Sequence, residues 1–109
     1  MAFVYRAATS KSWIADGVHE NAFRRRPSDI DGISVARTPE AAARYVKAKG
    51  MIVIDLDKLP PIYTLVPDPD DPEHLCISGL PIESADNLSD VLNHANVIRS
   101  CAEVFPFQA

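Results

Sequence analysis

Ile33-Ser34-Val35-Ala36-Arg37-Thr38-Pro39-Glu40-Ala41-Ala42-Ala43-Arg44-Tyr45 reads as a strand that turns into a helix within one corner. Ile33-Ser34-Val35 alternates apolar and polar, the period of a strand with one dry and one wet face, so Ser34 stands opposite Ile33 and Val35. Thr38 can cap a free amide, Pro39 suits a first helical position where its missing N–H has no partner, and Glu40 sets an acid at the positive end of the helix dipole. The spacing predicts a helix over 38–49, closed by Gly50 in the left-handed conformation. Ala42, Tyr45 and Val46 then face inward, with Arg44 and Lys47 in water.

Working outward, Phe3-Val4-Tyr5 is aromatic and β-branched, the composition of a first strand, with Arg6 at its end. Met51-Ile52-Val53-Ile54-Asp55-Leu56 is nearly continuous in apolar residues, as in a strand interior to its sheet, and its place after the helix suggests a β-α-β unit. Pro60-Pro61 interrupts the chain before a further strand, Ile62-Tyr63-Thr64-Leu65-Val66. Between them, residues 9–22 form an irregular segment around the lone tryptophan, Trp13, which is read as core, with His19 exposed. Ala22-Phe23-Arg24-Arg25-Arg26 is a short strand or helical turn stopped by Pro27.

Pro67-Asp68-Pro69-Asp70-Asp71-Pro72 is too rich in proline for a helix or a central strand and reads as an acidic surface loop. It lacks the bend glycine and ligand spacing of a calcium loop, so no metal is expected there. Leu75-Cys76-Ile77 is a short strand, and Ser78-Gly79-Leu80-Pro81 a turn. Leu88, Val91, Leu92, Ala95, Ile98 and Ala102 recur at intervals of three and four, the stripe of an amphipathic helix, with His94 off the stripe and in solvent. Phe105-Pro106-Phe107 is expected to pin the terminus to the core. The sum is an α+β fold: one domain over 1–109, with a mixed sheet and two main helices.

With 109 residues, 47% of them hydrophobic, the chain suffices for one core. A net charge of −4 argues against nucleic acid as a partner. The basic triplet Arg24-Arg25-Arg26 is either a solvated surface or a phosphate grip, since guanidinium forks match phosphate oxygens. Cys76 and Cys101 lack metal-ligand spacing and read as reduced thiols. The N-terminus lacks a signal-like apolar region and no run approaches a membrane span, so the sequence reads as cytoplasmic and not membrane-bound. Phosphate-binding glycine loops, His-Glu-x-x-His, the nucleophile elbow and zinc-spaced cysteines do not occur.

Three segments stand in the order of a known family. Val4-Tyr5-Arg6-Ala7-Ala8 resembles the first strand of ADP-ribosyltransferases of the cholera-toxin type. Residues 33–45 resemble that family's serine-bearing strand and the alanine-rich helix behind it. Asp71-Pro72-Glu73, followed by Ser78-Gly79-Leu80-Pro81, resembles the Glu-x-Glu pair and the turn after it, with Asp71 in place of the first glutamate and Ser-Val-Ala where Ser-Thr-Ser is usual. The small NAD-destroying RES-type toxin domains are similar to the same arrangement. The resemblance implies an ADP-ribosyltransferase-like fold, NAD as substrate and a bacterial, toxin-like protein. It makes Glu73 and Ser34 the catalytic candidates, Arg6 the residue that grips the NAD phosphates or ribose, and Tyr45 a wall of the site; Arg24 of the basic triplet is a further candidate phosphate contact on guanidinium chemistry alone.

Trp13, Asp16-Gly17, Phe23 to Pro27 and Pro72-Glu73-His74 also resemble a set of uncharacterised bacterial proteins of this size, and that likeness brings forward His74 rather than Glu73. Carboxylate chemistry suits the reaction, because cleaving the ribose–nicotinamide bond develops oxocarbenium character that a nearby negative charge stabilises. The alternative expectation is a non-catalytic module of the same fold that binds a protein partner through the acidic segment Asp68 to Glu73.

Overall fold

The computed structural model describes residues 2–27, 29, 32–44 and 46–105. Its frame is a six-stranded sheet with the order β4-β5-β2-β1-β3-β6. The strands are β1 (Phe3–Ala8), β2 (Ile33–Ala36), β3 (Gly50–Asp55), β4 (Thr64–Asp68), β5 (Asp71–Ser78) and β6 (Ala102–Phe105). The two α-helices are α1 (Pro39–Ala43) and α2 (Leu88–Ser100). Every pair of neighbouring strands is antiparallel, which corrects the expectation of a mixed sheet. The β-α-β reading survives in a modified form: β2 and β3 both run against β1, so they share a direction with β1 inserted between them.

One face of the sheet is dry. Val4, Ala8, Ile33, Val35, Ile52, Ile54, Leu75 and Ile77 alternate along their strands to reach it, and Ala95, Ile98 and Cys101 close over them from α2 and the residue after it. Burial of these aliphatic side chains is the main favourable term in folding, roughly 1.5–3 kcal/mol for each large one. Val91, Ala95 and Ile98 are the buried positions of α2, at the spacing read from the sequence, whereas Leu88 stays exposed. His94 is not in solvent as expected: it is half-buried, and its Nδ1 lies 2.6 Å from the hydroxyl of buried Tyr63.

Several boundaries move. α1 stops at Ala43 rather than near Lys49, and Val46 is exposed; Thr38 does cap it, its Oγ1 accepting from the Ala41 amide at 3.1 Å. Gly50 is not a left-handed helix stop. It opens β3, and its lack of a side chain makes room for Ile14, whose Cδ1 would lie 2.2 Å from a Cβ there. The proline-rich acidic segment is a hairpin, β4 to β5 turning at Pro69-Asp70; Pro67 is tolerated because β4 is an edge strand, where a missing N–H breaks no ladder. Residues 102–105 form an edge strand, β6, on β3 instead of extending the helix. The tail from Pro106 lies outside the described residues. Among the described residues no helix is long and apolar enough to cross a membrane, and Cys76 and Cys101 are not joined by a disulfide.

Candidate functional site

β1 pairs with β3 over six positions but with β2 at one, Tyr5↔Ala36. Beyond that pair the two strands part, and the Arg6 side chain fills the gap. Its NH1 donates to the Ser34 carbonyl at 2.7 Å, where a ladder amide from β1 is missing, and its Nε donates to the Ala22 carbonyl at 2.7 Å. The guanidinium also lies over the Trp13 ring, 5.3 Å from its centroid, the cation–π geometry. Two carbonyls and a ring hold the group rigidly.

No carboxylate stands within ion-pair distance of Arg6 among the described residues, and its second terminal nitrogen has no partner among them. Burial lowers its pKa to about 10, with the negative charge of Asp29 working the other way, so it remains a cation at neutral pH.

A cavity of about 210 Å³ opens at this split. Arg6 and Trp13 line it together with Ser34, His74, Ala41 and Ala42. Ser34 is exposed on β2 between buried Ile33 and Val35, as its strand period dictates. His74 reaches it from β5. The register sets Ser34 opposite Cys76 and Ala36 opposite His74, so Ser34 and His74 are diagonal neighbours on one face, within reach of a long side chain. Ser34 Oγ lies 2.5 Å from His74 Nε2.

On its other side His74 Nδ1 lies 3.0 Å from Asp68 Oδ2. Asp68 ends β4, where the pairing shifts: Pro67 faces Leu75, yet Asp68 faces Asp71. The Asp70 amide donates to Asp68 Oδ1 at 2.8 Å, and this bond, with smaller contributions from His74, holds the Asp68 carboxyl below its ordinary pKa. Since an ionised carboxylate only accepts, Nδ1 carries the imidazole proton and Nε2 is left to accept from the serine hydroxyl.

Arg6, Ser34 and His74 therefore share one cavity. Glu73 does not line it. Strand alternation turns Glu73 away from its neighbour His74, and Arg44 NH2 holds its Oε2 at 2.6 Å while Arg44 NH1 lies 3.9 Å from Asp71. Tyr45 lies outside the described residues. Arg24 is ion-paired with Glu83, Nε to Oε1 at 2.8 Å, and Arg25 donates to the carbonyls of Asp29 and Leu80, so two members of the basic triplet tie the irregular segment to residues 80–83 rather than lying loose in solvent. Arg24, Arg26, Asn21 and Ser12 line a second, polar groove of about 510 Å³, which shares Arg6, Thr9 and Trp13 with the first cavity. Trp13, read as core, packs on the core with part of its surface and walls both openings with the rest.

In the sequence Asp68 stands only as one end of an acidic segment, not as the partner of His74. A signal existed, an acid and a histidine six residues apart across a potential hairpin, but the prolines hid the hairpin. The chain matches no family model, no curated protein and no solved structure.

Proposed function

We propose that this chain binds the diphosphate of NAD at Arg6 and acts as a small ADP-ribosyltransferase-like or NAD-glycohydrolase-like domain. One observation carries the reading: a rigid guanidinium, free of any acidic partner among the described residues, lines a cavity together with Ser34 and His74. A half-buried cation with no acidic partner among the described residues, set at a cavity wall, suits an anionic ligand, and a guanidinium fork suits phosphate best. The adjoining groove with Arg24 and Arg26 gives an elongated dinucleotide room on the far side of Trp13. Strand order adds support, because the three segments of the resemblance supply Arg6 from β1, Ser34 from β2 and the third residue from β5.

Within this reading His74, backed by the Asp68 carboxylate, stands beside the developing oxocarbenium ion, and Glu73 serves the hairpin through Arg44. The alternative of a protein-binding acidic surface is less well supported, since Asp68, Asp71 and Glu73 are engaged with His74 and Arg44 of the same chain. Titration with NAD while following Trp13 fluorescence, with free nicotinamide measured in parallel, tests the proposal. Binding should perturb Trp13 in the wild type and not in Arg6→Ala, and nicotinamide release should survive Glu73→Gln but not His74→Ala. A silent Trp13 signal at millimolar NAD overturns the binding reading, and release that depends on Glu73 alone moves the chemistry out of this cavity.

A further inference from the structure

We infer that Ser34 is a nucleophile activated by His74 and Asp68, and that the cavity cleaves short-chain carboxylic esters whose alcohol carries a phosphate. The inference stands on the relay itself, not on NAD. Ser34 Oγ, His74 Nε2, His74 Nδ1 and Asp68 Oδ2 form a continuous chain of two hydrogen bonds, 2.5 Å and 3.0 Å long, drawn from three adjacent strands. A serine hydroxyl alone is a weak nucleophile; a base that accepts its proton, itself oriented by a third group, is what acyl transfer requires. The Asp70 amide fixes Asp68, Asp68 fixes the tautomer, and Ser34 is exposed at the cavity mouth.

The rest of the cavity sets the substrate class. Ala36, Ala41 and Ala42 line it with methyl groups, leaving room in about 210 Å³ for a short acyl chain. Arg6, bonded to the carbonyl of Ser34 itself, lines the same cavity, where its guanidinium can hold a phosphate on the alcohol.

In the first step the Ser34 Oγ–carbonyl bond forms and the Oγ proton passes to His74 Nε2. The carbonyl–alkoxide bond then breaks, and the alcohol leaves with that proton. Water, deprotonated by the same nitrogen, attacks the acyl-serine, and the acid departs as Oγ is reprotonated. No oxidant, metal or further reactant enters the balance.

A fluorophosphonate probe followed by peptide mass spectrometry tests this, with turnover of p-nitrophenyl acetate measured alongside. Ser34 should be labelled far faster than Ser89, which is exposed on α2 and makes no hydrogen bond to a histidine among the described residues. Labelling should fall by about a hundredfold in His74→Gln, the loss typical of a removed general base. Asp68 is a positioning residue, so Asp68→Asn should slow labelling by a smaller factor and move its pH profile while the melting temperature holds. Inorganic phosphate should protect Ser34 in the wild type and not in Arg6→Ala. Equal labelling of Ser34 and Ser89, or labelling indifferent to His74, overturns the nucleophile. Labelling that depends on His74 but ignores phosphate overturns the phosphate-bearing substrate. Because neither readout involves NAD, a failed NAD titration leaves this inference standing, and the reverse also holds.

Discussion

The two edges of β1 are built in opposite ways. Toward β3 it is zipped from Phe3↔Asp55 to Ala8↔Gly50; toward β2 it pairs once and then opens around Arg6. The same strand thus supplies a ladder on one side and a binding wall on the other. The closed edge derives its stability from aliphatic burial and saturated backbone bonds. The open edge lacks ladder bonds, and a guanidinium substitutes for one of them at the Ser34 carbonyl. Here one cation both satisfies that carbonyl and lines the cavity.

Breaking the closed edge should have the largest effect on stability. Ile52 is fully buried opposite Arg6 in the register. Ile52→Ala should cost about 2–5 kcal/mol by chemical denaturation, the range for emptying an aliphatic core position. Phosphate binding by the still-folded fraction should persist, since Arg6 takes its bonds from Ala22 and Ser34 and none from Ile52. Equal loss of both would show that the two edges are not independent.

Breaking the open edge should give the reverse ranking. Arg6→Ala leaves the carbonyls of Ala22 and Ser34 without their donor, at a cost of about 1–3 kcal/mol for such orphaned groups. Part of that is recovered because a cation disfavoured by burial is removed. Anion binding should vanish altogether, so calorimetry with inorganic phosphate separates this variant from Ile52→Ala more sharply than any melting curve.

The helix beside the open edge offers a subtler probe. α1 has five residues and buries none of them completely, so its cap matters more than its packing. Thr38→Ala should cost about 1 kcal/mol and, because Ala41 and Ala42 wall the cavity, weaken ligand binding as well. Proteolysis near residues 38–44 should quicken in the variant and be suppressed again by ligand.

Much of the closed edge was legible in the sequence. Val91, Ala95 and Ile98 announce themselves by helical period, Ile52 and Ile54 by a nearly continuous apolar run, and Val4 by the β-branched and aromatic residues around it. The open edge left less. Ser34 could be placed on the wet face by alternation, yet its meeting with His74 depends on a register between segments forty residues apart, which no local pattern encodes. The choice between Glu73 and His74 was nearer to hand: with Leu75 and Ile77 as the dry face of a strand, period two sets His74 on the face of Ser34 and turns Glu73 off it. The prolines of residues 67–72 carry the signature of a loop and so mask the start of β5. The early end of α1 and the strand β6 were hidden for the same reason, since alanine-rich and mixed apolar stretches suit either element until tertiary partners decide.

The smallest expected effect concerns the hairpin that carries Asp68. Its carboxyl has a folded-state pKa below the ordinary 3.8, owing first to the Asp70 amide and then to His74. A depressed carboxylate contributes stability that is fully present above the unfolded value and is lost as pH falls through the folded one. The loss should therefore begin only below about pH 4, and it should be slight, because the group is well solvated and solvent screens its partners. Asp68→Asn should remove that acid-limb loss while leaving the melting temperature at neutral pH nearly unchanged. Over the same neutral range the variant should slow fluorophosphonate labelling of Ser34. A carboxylate serving only the β4–β5 turn would change the acid limb and leave Ser34 as reactive as before, so comparing the two readouts in one variant shows whether the open edge of the sheet is tied through His74 to the hairpin beside it.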